Sequence, residues 1–181
     1  MKIVITQSNY IPWKGYFDLI NYADKFIFFD EVQYTRRDWR NRNLLNDGKN
    51  KKWITLPVNN KGNYNEKISN IVVKDENWVN HHLKIFKHYY SKSEFFNEAY
   101  EFLQEVYSKI DSNNLSLINI HIIKSISKYL NLNCKFENSK AINQNKKDAS
   151  ERLVEICKSQ KSTIYVTGPT ARNYLNEKIF L

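Results

Sequence analysis

Two strand-like runs near the N-terminus restrict the fold more than any other feature. "KIVIT" occupies residues 2–6 and "KFIFF" residues 25–29, and both are short, apolar and rich in β-branched or aromatic residues, as is typical of buried strands. Between them lies "YFDLINYAD", where Phe17, Ile20 and Ala23 share one face of a helix. Strand, helix and strand within about thirty residues predict a βαβ unit with parallel strands.

The rest of the chain continues this alternation. Further strands are predicted in "KKWITLPV", "KISNIVV", "NCKFENS" and "STIYVTG". Helices are predicted at 76–90, 94–110 and 115–131, and again in "KKDASERLVEICKSQ", where Asp148 and Glu151 have capping-box spacing. We therefore predict a single α/β domain over residues 1–181, with a Rossmann-like, mostly parallel sheet and a helical insertion at about 76–131.

Charge narrows the class of partner. The chain has a formal net charge of +9, and four of its six arginines lie between Arg36 and Arg42. From Thr35 to Lys52 there are seven basic residues against two acidic ones, a net charge of +5. Such an excess indicates an anionic partner: nucleic acid, nucleotide, phosphosugar or membrane surface.

Other features predict a cytoplasmic protein without membrane insertion and without a metal site. No apolar run reaches the length of a membrane span, and no signal-peptide pattern opens the chain. Cys134 and Cys157 lack metal or redox spacing, so we interpret them as buried thiols in a reducing cytosol. The four histidines contain no pair at the spacing of helical metal ligands.

The first segment with candidate chemistry is "QSNYIPWKGY", residues 7–16. Gln7 and Asn9 offer amide donors and acceptors, and Tyr10 and Trp13 offer flat surfaces with polar tips. A helix beginning near Gly15 would point backbone N–H groups at an anion. A tightly packed aromatic turn would have the same composition. A nucleotide or sugar pocket is favoured because the segment follows the first strand, at the sheet edge where ligands usually bind.

The second segment is "DEVQYTRRDWRNRN", residues 30–43. Asp30 lies where an acid or a ribose-binding carboxylate would lie, and arginine forks bind phosphate or carboxylate through two hydrogen bonds. The other candidate binding residues are Gln33, Tyr34, Arg36, Arg37, Trp39, Arg40, Asn41, Arg42 and Asn43. A solvated basic loop and a nucleic-acid interface are the alternatives. The patch is compact and no RNA-binding motif is present, which favours a small-ligand pocket.

The third segment is "YVTGPTARNY". Thr167, Gly168, Thr170 and Arg172 follow a predicted strand, and glycine and hydroxyl groups at a helix start are typical of a phosphate nest. We expect the three segments to line one cleft.

Together these segments resemble the WbqC-like family. The resemblance lies in "ITQSNYIPWKGYFDLINYAD", "FIFFDEVQYTRRDWRNRN", "KWITLPV" and "YVTGPTARNYL", and it covers nearly the whole chain. The positions that match are Gln7, Asn9, Tyr10, Pro12, Trp13, Gly15, Tyr16, Asp30, Gln33, Tyr34, Trp39, Asn41, Arg42, Asn43, Gly168, Pro169 and Tyr174.

The resemblance implies a cytoplasmic protein of bacterial O-antigen and polysaccharide biosynthesis, and a glycine or aminoacyl transferase that decorates an amino sugar. Family members continue past the "YL" motif, so we expect that this chain, which ends in "NEKIFL", is truncated relative to them.

The resulting hypothesis is a transferase that acylates the amino group of a nucleotide-linked sugar. Asp30 would be the general base or a ribose ligand, Gln7, Asn9 and Asn43 would orient the substrate, and Trp13 and Trp39 would stack on base or sugar. Arg36, Arg37, Arg40 and Arg42 would hold phosphates. The expected ligands are a nucleotide sugar and an activated glycyl donor, carried by an aminoacyl-tRNA or a carrier protein. The alternatives are a nucleotidyltransferase-like enzyme and a non-catalytic nucleotide-sugar-binding protein.

Overall fold

The computed structural model describes residues 1–59, 65–139, 148–173 and 175–180. Backbone contacts divide the chain into two compact units. The first unit comprises Met1–Gln7, Trp13–Glu31 and Ser127–Leu181, and the second comprises Ser8–Pro12 and Val32–Ile126. The segment 7–16 thus contributes residues to both units. The single domain and the helical insertion at about 76–131 stay predictions.

Strands and helices alternate along the chain. The strands are β1 (Lys2–Thr6), β2 (Lys25–Phe28), β3 (Arg42–Asn46), β4 (Lys51–Thr55), β5 (Lys135–Asn138) and β6 (Ile164–Val166). The α-helices are α1 (Lys14–Tyr22), α2 (Trp78–Tyr90), α3 (Phe96–Ser108), α4 (Leu115–Tyr129) and α5 (Ala149–Ser159). Short 3-10 helices span Ile68–Asn70, Pro169–Asn173 and Glu177–Phe180. Among the described residues, every helix is too short or too polar to cross a bilayer.

The first unit is built on a parallel sheet. Its strands lie in the order β5-β2-β1-β6, and each neighbouring pair is parallel. The central strands are apolar because a parallel sheet is covered on both faces; Ile3, Phe26 and Ile27 have no exposed surface. The α/β class and the parallel sheet are confirmed. If only the four strands of this sheet are numbered along the chain, their spatial order is 3-2-1-4. The dinucleotide-binding sheet, with the order 3-2-1-4-5-6, begins in the same way.

Helix α1 connects β1 to β2 and completes the predicted βαβ unit. Its buried face includes Tyr16, Phe17 and Ile20. The Tyr16 ring packs 5.3 Å from the Phe26 ring, and its hydroxyl donates to the Gln7 carbonyl at 3.0 Å. These contacts hold the start of α1 against the end of β1.

The second unit has an antiparallel hairpin and helices instead of a large sheet. Strands β3 and β4 pair with Leu45 opposite Lys52 and Asn43 opposite Ile54. A buried apolar cluster joins them to α2, α3 and α4 through residues that include Leu45, Ile54, Phe86, Val106 and Ile118. The helices at 78–90, 96–108 and 115–129 confirm the three that were predicted there, with ends shifted by a few residues.

In the second unit one predicted strand is absent from the described residues and one observed strand was not predicted. "KISNIVV" does not form a strand: Ile68–Asn70 is a 3-10 helix, and Lys67, Val72 and Val73 make only isolated bridges. Ile68 and Ile71 are both buried, and that spacing of three suits a 3-10 turn. Strand β3 was not predicted, because its arginine and asparagines conceal a short strand.

Candidate functional site

In the first unit, three strand ends bring predicted site residues to one edge of the sheet. Gln7 directly follows β1, Asp30 follows β2 by two residues, and Thr167 directly follows β6. The Phe29 N–H donates to the Thr6 carbonyl at 2.8 Å, so the β1–β2 ladder continues to the last residue before Asp30. Because the strands are parallel, these residues all lie at the carboxyl edge.

This edge contains the point at which the strand order reverses. From β1 the chain proceeds to β2 and β5 on one side, and later to β6 on the other. In open α/β sheets, ligands bind in the crevice outside the carboxyl ends of the strands at such a point. Gln7 and the Thr167–Gly168 pair flank it. A Cβ added at Gly168 would meet no atom of the described structure within 4 Å, so this position faces open space.

The Trp13 indole lies against the backbone of Gly15 at the N-terminus of α1, in space that a side chain at position 15 would occupy. A Cβ on Gly15 would lie 2.1 Å from Cη2 of the Trp13 indole, so only glycine permits this arrangement. The indole nevertheless stays 69% exposed. The first turn of α1 has no acidic residue. An exposed flat ring and the N-terminal end of a helix dipole are therefore adjacent, a suitable combination for a ring-bearing anion.

Asp30 is fully buried within the first unit. A buried carboxylate is stable only when hydrogen bonds or a positive charge compensate for lost hydration. The guanidinium carbon of Arg152, on α5, lies 5.8 Å from the ring centroid of Phe29, the residue before Asp30. The Arg152 Nε is buried and has no hydrogen-bond partner among the described residues. Arg152 was not predicted as a site residue, because a lone arginine on a helix carries no motif.

The thiols of the first unit are poor nucleophiles. Burial raises the pKa of Cys134 to about 11, and the negative charge of Asp24 acts in the same direction. Burial also raises the pKa of Cys157, which lines a pocket of about 290 Å³ with Thr167 and Tyr165. Because the thiolate is the reactive form, neither cysteine is prepared for an acyl-enzyme intermediate.

In the second unit, the loop Ser8–Pro12 is attached to the arginine-rich segment. The Tyr10 N–H donates to the Trp39 carbonyl at 3.0 Å. Arg40 donates to Asn9 Oδ1, and the Asn43 amide donates to the Ile11 carbonyl. Ile11 has a φ of 44°, a left-handed conformation that is costly for a β-branched residue and is usually retained at functional sites.

Tyr10 anchors this loop in the core. It has no exposed surface, and its hydroxyl lies 2.6 Å from His82 Nδ1 and 2.5 Å from the Tyr107 hydroxyl. His82 Nε2 lies 3.2 Å from the Thr55 carbonyl. Since a carbonyl only accepts, Nε2 carries the proton, Nδ1 accepts from Tyr10, and Tyr107 donates to Tyr10. We infer that Tyr10 positions the loop rather than contacting a ligand.

Burial sets the charge state of this chain of hydrogen bonds. It lowers the pKa of His82 to about 4, against the opposing effect of the hydrogen bond with the Thr55 carbonyl. It raises the pKa of Tyr10 and of Tyr107 above their ordinary values. All three groups are therefore neutral at pH 7, as the direction of the hydrogen bonds requires. The sequence pattern excluded His82 from a helical metal pair but gave it no other role.

A pocket of about 240 Å³ lies beside the arginine-rich segment of the second unit. It is lined by Tyr34, Arg36, Arg37, Asn41, Arg42, Thr55, Leu56, Pro57 and Val58. Five of these are predicted binding residues, and the other four follow β4 or end it. Burial raises the pKa of Tyr34, with Arg36 and Arg42 opposing the shift, so its hydroxyl is a neutral donor and acceptor.

Asp38 is the acidic residue of the arginine-rich segment, and its carboxylate is hydrogen-bonded within its own turn. It accepts hydrogen bonds from the Thr35 hydroxyl at 2.6 Å and from the Trp39 N–H at 2.7 Å. Burial raises the pKa of Asp38. These hydrogen bonds and the charges of Arg40 and Arg42 lower it by more, so the net pKa lies below the usual value. Asp38 thus shapes the turn that presents the arginines.

Two exposed tryptophans lie next to the pocket. The Trp39 and Trp53 ring centroids are 5.3 Å apart, and the Arg42 guanidinium lies 4.0 Å from the Trp53 ring centroid. Trp53 was not predicted, because in "KKWITLPV" it resembles an ordinary strand residue. Its pairing opposite Leu44 could be recognised only once β3 was known.

The remaining predicted residues are less informative. Gln33 is exposed and donates to Asn65 Oδ1 at 3.3 Å. Thr170 and Arg172 belong to the 3-10 helix Pro169–Asn173, but their side chains, like Tyr174, lie outside the described residues. No group of three or more His, Cys, Asp or Glu in the described ranges is arranged to hold a metal ion. The prediction that all three segments line one cleft stays a prediction.

Comparison with known proteins identifies the family. The model of the WbqC-like protein family matches residues 7–181. An uncharacterized protein of Mycobacterium tuberculosis strain H37Rv, Rv1507c, is 39% identical over 179 residues, which cover 99% of this chain and 77% of that protein. No solved structure matches significantly. The chain therefore belongs to the WbqC-like protein family.

Proposed function

We propose that this protein is an acyl or aminoacyl transferase of surface-glycan (O-antigen) biosynthesis, acting in the cytoplasm on the amino group of a nucleotide-linked amino sugar, with glycine as the favoured acyl group. One observation carries the proposal. Gln7, Asp30, Thr167 and Gly168 follow strands at the carboxyl edge of the parallel sheet, and Gln7, Thr167 and Gly168 flank the point at which the strand order reverses. Sheets of this strand order bind nucleotide ligands at that position.

The first unit supplies groups suited to the acceptor. The exposed Trp13 indole would stack on a base or sugar, and the N-terminus of α1 would attract a phosphate. Thr167 and Gly168 would approach the ligand from the end of β6, with Thr170 and Arg172 after them in the 3-10 helix. The Gln7 amide would orient the sugar.

Asp30 would act as the general base once substrate binding brings the amine to its carboxylate, which is fully buried in the unliganded fold. In the reaction, the amine nitrogen attacks the acyl carbonyl carbon of an ester or thioester donor, and a new C–N amide bond forms. The proton leaves the nitrogen for the carboxylate and is then delivered to the departing oxygen or sulfur as its bond to carbon breaks. Neither oxidation nor a metal is required. A positioned carboxylate contributes about 10²- to 10⁴-fold to such a step.

The second unit supplies groups suited to an anion. Arg36, Arg37 and Arg42 line its pocket with Tyr34 and Asn41. Arg40, Asn9 and Asn43 bond to one another's segments and would maintain its shape, while Gln33 would contact the ligand from the exposed side. The anion would be the phosphate of a sugar nucleotide or of an activated donor, carried by an aminoacyl-tRNA or a carrier protein.

A transfer assay tests the proposal directly. The full chain would be mixed with UDP- or dTDP-linked amino sugars and glycyl donors, and the sugar would be followed by mass spectrometry. We expect a mass gain of one acyl group, reduced about 10²- to 10⁴-fold in Asp30→Asn. Asp18→Asn, which changes an exposed carboxylate of α1, is the matched control and should leave the rate unchanged.

The other outcomes separate the alternatives. Sugar-nucleotide binding without a mass gain with any donor would favour a non-catalytic binding protein. A mass gain of the sugar that requires a nucleoside triphosphate and Mg²⁺, with release of pyrophosphate, would favour a nucleotidyltransferase-like enzyme. Equal rates in the wild type and Asp30→Asn would remove Asp30 from the mechanism.

A further inference from the structure

The β3–β4 hairpin presents two chemically different faces. Leu45 and Ile54 are buried, so their face packs on the core of the second unit. Successive side chains of a strand alternate between faces, and the opposite face carries the cross-strand pairs Arg42–Thr55 and Leu44–Trp53. The outward face of this hairpin therefore combines a cation, an aromatic ring and a hydroxyl.

Exposed aromatic surface is concentrated on this face. Trp39 and Trp53 are 47% and 42% exposed, and their rings contact each other. Both rings leave far more surface in solvent than Trp78 of the core, which is 6% exposed. Paired exposed rings beside an arginine form a surface on which unpaired bases stack.

Positive charge extends along the hairpin from the pocket to the turn. Arg36 and Arg37 are exposed at the pocket end, and Lys49 and Lys51 are exposed at the other. Lys52 is also exposed, but it pairs with Leu45 and so lies on the opposite face of the hairpin. Strand β3 spans about 14 Å at 3.4 Å per residue, a longer distance than one phosphate group can cover. The acidic side chains of the same segment, Asp38 and Asp47, accept hydrogen bonds from their own turns. The charge pattern therefore fits a chain of phosphates.

Asn41 adds a requirement that phosphate cannot meet. It is 6% exposed, it lines the pocket, and its Nδ2 donates to the Leu56 carbonyl at 2.8 Å. That bond sets the orientation of the amide, because the carbonyl can only accept. The Asn41 Oδ1 is then an acceptor without a hydrogen-bond partner among the described residues. It needs a donor, and a ribose 2′-hydroxyl lies beside the phosphates in RNA.

From these observations we propose that the outward face of the β3–β4 hairpin and its adjoining pocket bind single-stranded RNA. Bases stack on Trp39 and Trp53, Arg36, Arg37 and Arg42 hold the backbone phosphates, and a ribose hydroxyl donates to Asn41. The inference rests on the proposed function only in assigning the arginine pocket to an RNA-borne donor, since the binding itself needs no catalysis.

Fluorescence anisotropy with the full chain tests this proposal. The probe is a labelled, unstructured RNA of about ten nucleotides. We expect Trp39→Ala and Trp53→Ala each to weaken binding roughly 5- to 150-fold, as loss of base–aromatic stacking does. Trp39→Phe and Trp53→Phe keep a stacking ring and should retain most of the affinity. Phe95→Ala removes another exposed aromatic residue of the second unit and should have no effect.

Salt dependence and sugar identity give two further tests. The logarithm of the binding constant should fall linearly with the logarithm of the salt concentration, with a slope of about −0.7 per phosphate neutralised. Lys51→Ala should make this slope less steep, and Lys109→Ala should leave it unchanged. DNA of the same sequence should bind more weakly, and Asn41→Ala should reduce this difference. Circular dichroism and thermal unfolding would check that each variant is folded.

Several outcomes would overturn the inference. Equal binding of duplex RNA or heparin would indicate a general polyanion surface, and equal binding of DNA would remove the ribose contact. Full displacement of RNA by mononucleotides at comparable concentration would indicate a small-nucleotide site. RNA binding without acyl transfer would count against the proposed function alone, and transfer from a small-molecule donor without RNA binding would count against this inference alone.

Discussion

Within each of the two compact units, a different kind of hydrogen bond stabilises the backbone. In the first, β5, β2, β1 and β6 form continuous parallel ladders between backbone groups. In the second, the β3–β4 ladder and single backbone bonds between loops are supplemented by side-chain amides: Asn41 donates to the Leu56 carbonyl, Asn114 to the Ser69 carbonyl and Asn119 to the Arg40 carbonyl. Irregular backbone leaves polar groups outside the ladders, and these side chains satisfy them.

This difference explains where the candidate ligand surfaces lie. The first unit offers the end of a regular sheet, so its site is set by strand order. The second unit offers a loop and a hairpin whose shape depends on individual buried side chains, above all Tyr10. We therefore expect substitutions that remove side-chain hydrogen bonds to affect the second unit much more than the first.

Tyr10→Ala should lower the free energy of unfolding more than any other change considered. It removes a fully buried ring and breaks the bonds to His82 and Tyr107, and such truncations cost about 3–5 kcal/mol. Hydrogen exchange should show α2, α3 and the hairpin losing protection while β1 and β2 keep theirs. Tyr10→Phe, which removes only the hydroxyl, should show a smaller loss. A uniform loss over both units would contradict the comparison.

Acid should be the next strongest perturbation, and it should act through His82. The folded pKa of about 4 lies below the ordinary value of 6.5, so the unfolded chain takes up the proton first. The stability from this group is therefore complete above pH 6.5 and is lost as the pH falls towards 4, by about 3 kcal/mol.

Urea unfolding at pH 7 and at pH 4 measures this effect. His82→Gln cannot titrate, so its free energy of unfolding should fall less between the two pH values than that of the wild type. Parallel losses in both proteins would show that His82 is not the acid-sensitive group, and would assign the loss to carboxylates such as Asp38.

Asn119→Ala should have an intermediate effect in the second unit. Its amide donates to the Arg40 carbonyl at 2.8 Å and to the Ser8 hydroxyl at 3.3 Å. Loss of a buried donor costs about 1–3 kcal/mol. The lower end is expected, because the Asn119 Oδ1 has no hydrogen-bond partner in the described residues and its removal offsets part of the cost. Chemical denaturation is the measurement, and an unchanged midpoint would show that water replaces this amide.

Gly15→Ala should have the smallest effect on stability and the most specific effect on the first unit. Alanine favours a helix over glycine by about 0.5–1 kcal/mol, and the exposed Trp13 indole can move away from the new methyl group. We expect unchanged or slightly raised stability, altered tryptophan fluorescence and weaker sugar-nucleotide binding in calorimetry. Unchanged binding would show that Trp13 does not contact the ligand from its position over Gly15.

The two units also differ in how far their structure could be predicted. β1, α1 and β2 were predicted because each is one periodic run whose pattern is set by the sheet itself. β3 was missed and "KISNIVV" was wrong because their backbone conformation depends on partners distant in the sequence, such as β4 for β3 and Asn114 for Val72. The roles of His82, Trp53 and Arg152 were missed for the same reason: each becomes meaningful only beside Tyr10, Trp39 or Phe29.

Local periodicity, composition and motif order are properties of the sequence, and they were enough to predict the α/β class, the helices, the basic cluster and the family resemblance. The division of "QSNYIPWKGY" between the two units, with Tyr10 in a core and Trp13 in solvent, became known only from the fold. Burial accounts for this difference. Both residues are aromatic with a polar tip, and a sequence pattern cannot distinguish a ring that finds buried hydrogen-bond partners from one that rests on a glycine at the surface.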